Sequence, residues 1–255
     1  MPRKEIKPPE INGKVRSDSP FYGIIEDAYR VFDYPKPMQT GVCTCCMDSR
    51  IEKDFYNPDI RGLPLKYVQN WYQGAYDFPM PKSIWGYLLP RILDILAAGE
   101  DVSTVALEIS LSRFPIGDKS MWSKQEWSVL DRFQRQYLAN AIHQTRTVDF
   151  LDDILCMFAI AKWPLENLHK QVMEIDDEFL VQKLWSDWCQ FEYPSIWLTP
   201  FWDNQTKDKA LMFYTSRQLY ERLVSYGMED NTPEHLSEKA LKVAEVLEWH
   251  APRYR

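Results

Sequence analysis

Hydrophobic residues recur along most of the chain at intervals of three and four positions, the period of an amphipathic helix. A first helix follows Ser19 and Pro20, the capping-box sequence SKQE begins another at residue 123, and residues 147–161 form a strongly apolar third. Alternating strand patterns are scarce, and only residues 102–111 fit either structure. The pattern predicts an all-α fold, an irregular multi-helix bundle in which stacked antiparallel helix pairs are one arrangement that fits.

Proline and glycine positions divide this pattern further. The charged, proline-rich residues 1–18 predict a flexible N-terminal arm, followed by a single helical domain over residues 19–255. Pro90 should kink or divide the helix that contains it. A long helix is expected over residues 206–226, with Gly227 as its C-terminal stop.

Composition and charge limit the function. The 255 residues carry a formal net charge of -7, which argues against a nucleic-acid surface and suits either solubility or a basic partner. No apolar stretch is long enough for a signal peptide or a membrane span, so we expect a cytoplasmic protein without membrane contact. The odd number of cysteines, five, fits a reducing compartment, and Cys156 and Cys189 suit small buried hydrophobic positions.

The segment GVCTCCMDSR, residues 41–50, contains the other three cysteines, Cys43, Cys45 and Cys46. A CxxC supplies half of a tetrahedral zinc site, no second CxxC exists, and no sheet is predicted to support a redox motif. We therefore predict a structural turn with one or two cysteines packed inward, and neither metal nor cofactor. A structural metal site or a redox-responsive site at the three cysteines is the alternative.

Catalytic motifs are scarce. The sequence contains no GxSxG, no HExxH and no glycine-rich phosphate loop. Adjacent carboxylates such as Asp152 and Asp153 point about 100° apart on a helix, and a solvated helix start accounts for them. We predict that the protein is not an enzyme; a metal-free enzyme that uses carboxylates in a helical pocket stays open as a hypothesis.

Residues 176–204 interleave eight aromatic side chains with six acidic ones, and Lys183 is the single basic residue. Aromatic anchors contribute much of the energy of protein interfaces, and surrounding carboxylates would steer a basic partner. Core packing beneath a solvated face is the competing interpretation. The predicted partner-binding residues are Asp176, Asp177, Glu178, Asp187, Trp188, Glu192 and Trp197.

A succession of motifs over about residues 20–175 resembles a family of uncharacterised bacterial all-helical proteins with an N-terminal CxxC turn. Some members are encoded beside polymorphic toxins of the Rhs type and are identified as their immunity proteins. In this chain YLLPR stands where the family often has Phe before Leu-Pro-Arg. The motifs that carry the resemblance are IIEDAYRVFDYPKP, CTCCMDSRIEKDF, IRGLPLKYVQNWYQGAY, YLLPRILDIL, WSKQEWSVLDRF and DDILCMFAIAKWPL.

The resemblance implies a role in bacterial competition, in the context of Rhs toxins and type VI secretion. The expected action is stoichiometric: the protein binds its cognate toxin domain and occludes the active site or the substrate path. Such a toxin would be basic if it acts on nucleic acids, which agrees with the acidic character of this chain. The oligomeric state is left open.

Overall fold

The computed structural model describes residues 13–43, 45–76, 80–144 and 149–251. Within these ranges the chain contains eleven α-helices and three short 3-10 helices, and no strand. The all-α prediction is confirmed. The 3-10 helices are Ile60–Gly62, Leu107–Ile109 and Lys119–Met121. The α-helices are α1 Tyr22–Val31, α2 Ser49–Asp54, α3 Leu65–Gln73, α4 Lys82–Ala97, α5 Lys124–His143, α6 Leu151–Ile160, α7 Leu165–Met173, α8 Asp177–Trp188, α9 Asn204–Tyr214, α10 Arg217–Met228 and α11 Glu234–His250.

The chain divides into two compact units. The first unit comprises Met1–Ser110 and Lys119–Phe133, and the second comprises Leu111–Asp118 and Gln134–Arg255. The predicted domain of residues 19–255 contains parts of both. No helix in the described ranges is long and apolar enough to cross a membrane.

Helix α4 is the buried centre of the first unit. It runs without interruption from Lys82 to Ala97, so Pro90 does not divide it. Arg91 is completely buried in this helix and forms a 3.1 Å ion pair with Asp94 one turn later. Helix α1 packs against α4 beside this pair, and the hydroxyl of Tyr29 in α1 donates to Asp94 at 2.9 Å.

Gly13 and Val15, part of the predicted flexible arm, contact α4. The carboxylate of Asp94 accepts a 2.8 Å hydrogen bond from the backbone N–H of Val15, and Arg91 donates to the carbonyl of Gly13. Gly13 has a positive φ of 72° and lies close to Ile95. Residues 1–12 lie outside the described ranges.

Helix α11 packs against α8 and α10 in the second unit. Helices α10 and α11 are antiparallel: the hydroxyl of Tyr220 donates to Glu248, and Gly227 packs against Leu241. The long helix predicted over residues 206–226 is wrong, because α9 ends at Tyr214 and α10 begins at Arg217. The hydroxyl of Ser216 caps α10 by accepting from the N–H of Leu219 at 3.3 Å.

Gly227 does not stop this helix either. It lies inside α10, which continues to Met228, and it is buried against α11. A Cβ at this position would come within 2.9 Å of the Leu241 side chain. The glycine therefore permits the close approach of α10 and α11.

Candidate functional site

The connection between α8 and α9, residues 189–203, is here named the aromatic loop. It presents aromatic side chains to solvent and places other side chains in the core. The exposed fractions are 54% for Phe191, 80% for Tyr193, 40% for Trp197 and 36% for Phe201. Ile196, Thr199 and Trp202 are buried. The alternation of exposed and buried side chains anchors the loop at several points along its length.

Asp152, in the first turn of α6, is the main polar anchor of the aromatic loop. Its Oδ2 accepts hydrogen bonds from the backbone N–H of Thr199 at 2.7 Å and from the indole Nε1–H of Trp202 at 2.9 Å. Burial raises the pKa of this carboxyl to about 7, against the opposing effect of the two donors. The solvated helix start predicted for Asp152 is wrong, because the side chain is 2% exposed.

Asp153 positions Trp197, one of the exposed aromatic side chains. Its Oδ1 accepts a 3.0 Å hydrogen bond from the indole N–H of Trp197, and its Oδ2 accepts from the backbone N–H of Phe150 at 3.1 Å. The Trp197 ring stacks on the Phe150 ring at a centroid distance of 4.8 Å and an interplanar angle of 25°. These contacts fix the indole while leaving part of it open to solvent.

Asp187 and Trp188 are buried at the end of α8, 4% and 2% exposed, and so cannot contact a partner directly. Asp187 pairs with Lys183 at 3.0 Å and accepts a 2.7 Å hydrogen bond from the N–H of Leu151. Burial raises the Asp187 pKa, and Lys183 opposes that rise. Both residues belong to the packing beneath the aromatic loop, and we remove them from the predicted binding surface.

Asp176, Asp177 and Glu178 lie at the opposite end of α8 from the aromatic loop. The twelve residues of α8 span about 18 Å, so the fold does not join these acids to the exposed aromatic side chains. Asp177 is already paired with Arg222, whose Nε lies 2.5 Å from its Oδ1. Of the predicted residues, only Glu192 and Trp197 lie on the aromatic loop.

The cysteine turn, here the described residues 42, 43 and 45–48, differs from our prediction in the exposure of its cysteines. Cys45 and Cys46 are exposed and Cys43 is partly exposed, so the expectation of inward packing is wrong. The three sulfur atoms lie within 4.8 Å of one another, and those of Cys45 and Cys46 are 3.7 Å apart. Hydrogen bonding from Cys45 lowers the pKa of Cys43, and the same interaction raises the pKa of Cys45 to about 11.

Cavities border described residues in each of the two units. One of about 970 Å³ adjoins the cysteine turn and is lined by Cys43, Glu52, Lys53 and Tyr56, among others. Another, of about 310 Å³, lies in the second unit beside the imidazole of His169. Neither is lined by Asp152, the carboxyl whose pKa is raised to about 7.

Comparisons of this chain with protein-family models, with curated proteins and with solved structures find no match. The candidate binding surface is thus defined by its geometry alone. Sequence reasoning identified the aromatic segment but missed its anchors, Asp152 and Asp153. The one available signal, a pair of carboxylates at a helix start, is equally typical of ordinary helix capping.

Proposed function

We propose that the protein is an immunity-type protein that binds a cognate bacterial toxin domain and neutralises it by stoichiometric occlusion. The observation that carries the proposal is the aromatic loop, where four large aromatic side chains are exposed on one short connection. The resemblance of residues 20–175 to toxin-associated immunity proteins supports the identity of the partner. We therefore revise the predicted partner-binding surface to Phe191, Tyr193, Trp197 and Phe201, together with Glu192.

The exposure of these side chains is unfavourable for an isolated protein. Each large aromatic side chain buries about 150–250 Å² when it is covered, and such side chains dominate the energetics of protein interfaces. Tyr193 is 80% exposed, which leaves most of its ring available to a partner. Covering the loop with a complementary surface would recover this apolar area.

The loop is also held in place before any partner arrives. Thr199 and Trp202 are tied to Asp152, and the backbone N–H of Ser195 donates to the carbonyl of Trp188 at 3.1 Å. Ordering flexible side chains and loops on association costs affinity, so a loop that is already ordered binds more tightly. This preorganisation favours a dedicated binding role.

The charge of the loop favours a basic partner. Residues 189–203 contain two carboxylates, Glu192 and Asp203, and no Lys, Arg or His. Both carboxylates are exposed. Together with the net charge of -7, they would accelerate association with a positively charged toxin domain, an effect that weakens with added salt.

The test pairs this protein with the C-terminal domain encoded by the neighbouring gene, which would be the cognate toxin under this proposal. We expect co-expression to restore growth and the two purified proteins to form a one-to-one complex by calorimetry. Tyr193→Ala and Trp197→Ala should each weaken binding by about tenfold or more, as is typical of interface hot spots. Tyr22→Ala in the first unit is the matched control, because the exposed fraction of Tyr22, 41%, is close to the 40% of Trp197.

Two results would contradict the proposal at different levels. Absence of both complex and protection with the unsubstituted protein would exclude the neutralising function for that toxin. Unchanged affinity in the Tyr193→Ala and Trp197→Ala double variant would show that the aromatic loop is not the binding surface. Circular dichroism of each variant verifies that the helices are intact.

A further inference from the structure

We infer that Cys43, Cys45 and Cys46 form a thiolate site for a single thiophilic d10 cation of the zinc class. The inference is independent of the proposed toxin binding, because the cysteine turn belongs to the first unit and the aromatic loop to the second. Free cysteine is among the most buried residue types in proteins. Three free thiols that converge outside the core therefore require an explanation other than packing.

The sulfur positions fit a metal-bound arrangement. A Zn–S distance of about 2.3 Å places the sulfurs of a tetrahedral site about 3.8 Å apart. The Cys45 and Cys46 sulfurs are already 3.7 Å apart, and all three sulfurs lie within 4.8 Å of one another. Side-chain rotations that shift each sulfur by about an ångström or less would complete three corners of a tetrahedron.

Described residues on both sides of the three cysteines are held by burial and by backbone hydrogen bonds. Val42 and Met47, on either side of the cysteines, are 9% and 4% exposed. The N–H of Cys46 donates to the carbonyl of Cys43 at 3.0 Å, and the N–H of Asp48 donates to the side-chain oxygen of Asn70 at 3.0 Å. A metal ion would thus meet thiols that are already gathered, and the entropic cost of forming the site would be small.

Among the described residues, no fourth His, Cys, Asp or Glu joins the three cysteines as a possible ligand, and Cys45 and Cys46 are exposed. Cys43 borders the cavity of about 970 Å³, and Glu52 and Lys53 also line this cavity. Structural zinc sites are closed by four protein ligands, whereas sites with three protein ligands bind water or another small ligand at the fourth position. The cysteine turn fits the second kind, a site at which ligands and metal can exchange.

Binding would be coupled to proton release. Cations of this class bind the thiolate form of cysteine, so each thiol that is protonated before binding loses its proton to buffer. Three thiolates and Zn²⁺ leave a net charge of about -1 at the site.

The experiment uses the full chain, reduced, freed of metal and with its five thiols counted before titration. Zn²⁺ is titrated in competition with a chromophoric chelator, and Co²⁺ is titrated in parallel because its absorption reports thiolate ligands and coordination geometry. We expect one equivalent of Zn²⁺ to bind and Co²⁺ to give thiolate charge-transfer and tetrahedral bands. Proton release is measured from the buffer dependence of the binding enthalpy.

Cys43→Ser, Cys45→Ser and Cys46→Ser test the three ligands one at a time. Each should lower Zn²⁺ affinity by more than about 100-fold, since the loss of even an outer-shell partner costs 10–100-fold. Cys189→Ser removes a thiol from the second unit and should leave affinity unchanged. All four variants are compared by circular dichroism, and none requires the toxin, so this test succeeds or fails separately from the proposed function.

Three results would overturn the inference. The first is the absence of stoichiometric Zn²⁺ binding in the reduced chain. The second is binding that the cysteine variants do not weaken. The third is a disulfide between two cysteines of the turn that forms in air and persists in the presence of Zn²⁺. Mass spectrometry would detect it as the loss of two hydrogens, and it would show a disulfide site in place of a metal site.

Discussion

The carboxylate of Asp152 accepts a 2.7 Å hydrogen bond from the backbone N–H of Thr199, 47 positions further along the chain. The same oxygen accepts from the indole of Trp202. The hydroxyl of the fully buried Tyr214 is near enough to affect this carboxyl electrostatically, yet it makes no hydrogen bond of normal geometry with it. One buried carboxylate thus joins the start of α6 to the aromatic loop.

Asp152→Asn should reduce the pH dependence of stability around neutrality. Because the Asp152 pKa is about 7 in the fold and near 3.8 in the unfolded chain, the folded state favours the protonated carboxyl. Its contribution to the free energy of unfolding is therefore full below pH 3.8 and is lost as pH rises through about 7, by up to roughly 4 kcal/mol. The loss falls between about pH 4 and 7, so urea unfolding of both proteins between about pH 4 and 8 measures the difference.

Asparagine retains an acceptor for the two donors and carries no charge, so the variant should lose less stability than the unsubstituted protein as pH rises. The exposed Asp208→Asn, in the same unit, is the control and should follow the unsubstituted profile. Identical profiles for Asp152→Asn and the unsubstituted protein would mean that this carboxyl does not titrate near neutrality.

Asp152→Ala should loosen the aromatic loop. The substitution removes the acceptor of two buried donors, the N–H of Thr199 and the indole N–H of Trp202, at a cost of about 1–3 kcal/mol for each. Hydrogen exchange at the Thr199 amide should accelerate more than exchange in α11. Asp152→Asn should keep that amide protected, and equal exchange in the two variants would contradict the anchoring role.

Local signals in the sequence were sufficient to predict most of the helices. The capping box is an example: the N–H of Ser123 donates to Glu126 at 2.8 Å, and the N–H of Glu126 donates to the Ser123 hydroxyl at 3.3 Å. The motif could be predicted because both partners lie within one helical turn. The break between α9 and α10 was missed because Ser216 lies in a continuous helical pattern, where a serine can cap a helix or occupy its solvent face.

The candidate site was only partly predictable, because its contacts join distant positions. Aromatic and acidic composition identified residues 176–204, but composition does not show which side chains a fold buries. Trp188 faces Tyr214 in an edge-to-face contact at 5.2 Å, whereas Tyr193, five residues further on, is exposed. The role of Asp152 likewise depends on a residue 47 positions away, which no local pattern indicates.

His169 should make the second unit sensitive to acid. Its ring stacks on Phe213 at 4.0 Å, and its Nε2 has no hydrogen-bond partner among the described residues. Burial lowers its pKa to about 4, so the fold favours neutral imidazole. This contribution to stability is present above pH 6.5 and is lost as pH falls toward about 4.

His169→Phe keeps a ring against Phe213 and removes the titration, so unfolding in urea should depend less on pH over this interval. Because the His169 ring is partly exposed, we expect a difference of about 2 kcal/mol between pH 7 and 4, below the full value for its pKa shift. The same substitution at the exposed His235 is the control. If His169→Phe lost as much stability at acidic pH as the unsubstituted protein, other groups would cause the acid sensitivity.

Arg91→Leu should strongly destabilise the first unit. The guanidinium is fully buried, pairs with Asp94 at 3.1 Å and donates to the carbonyl of Leu63 at 2.8 Å. Removing it leaves the Asp94 charge in the core without this cation, so we expect a loss of about 3–5 kcal/mol in urea unfolding. Arg217→Leu, which removes an 80% exposed partner of Glu221, should cost less than about 1 kcal/mol. If Arg91→Leu, Asp94→Leu were as unstable as Arg91→Leu alone, the loss would not come from the uncompensated Asp94 carboxylate.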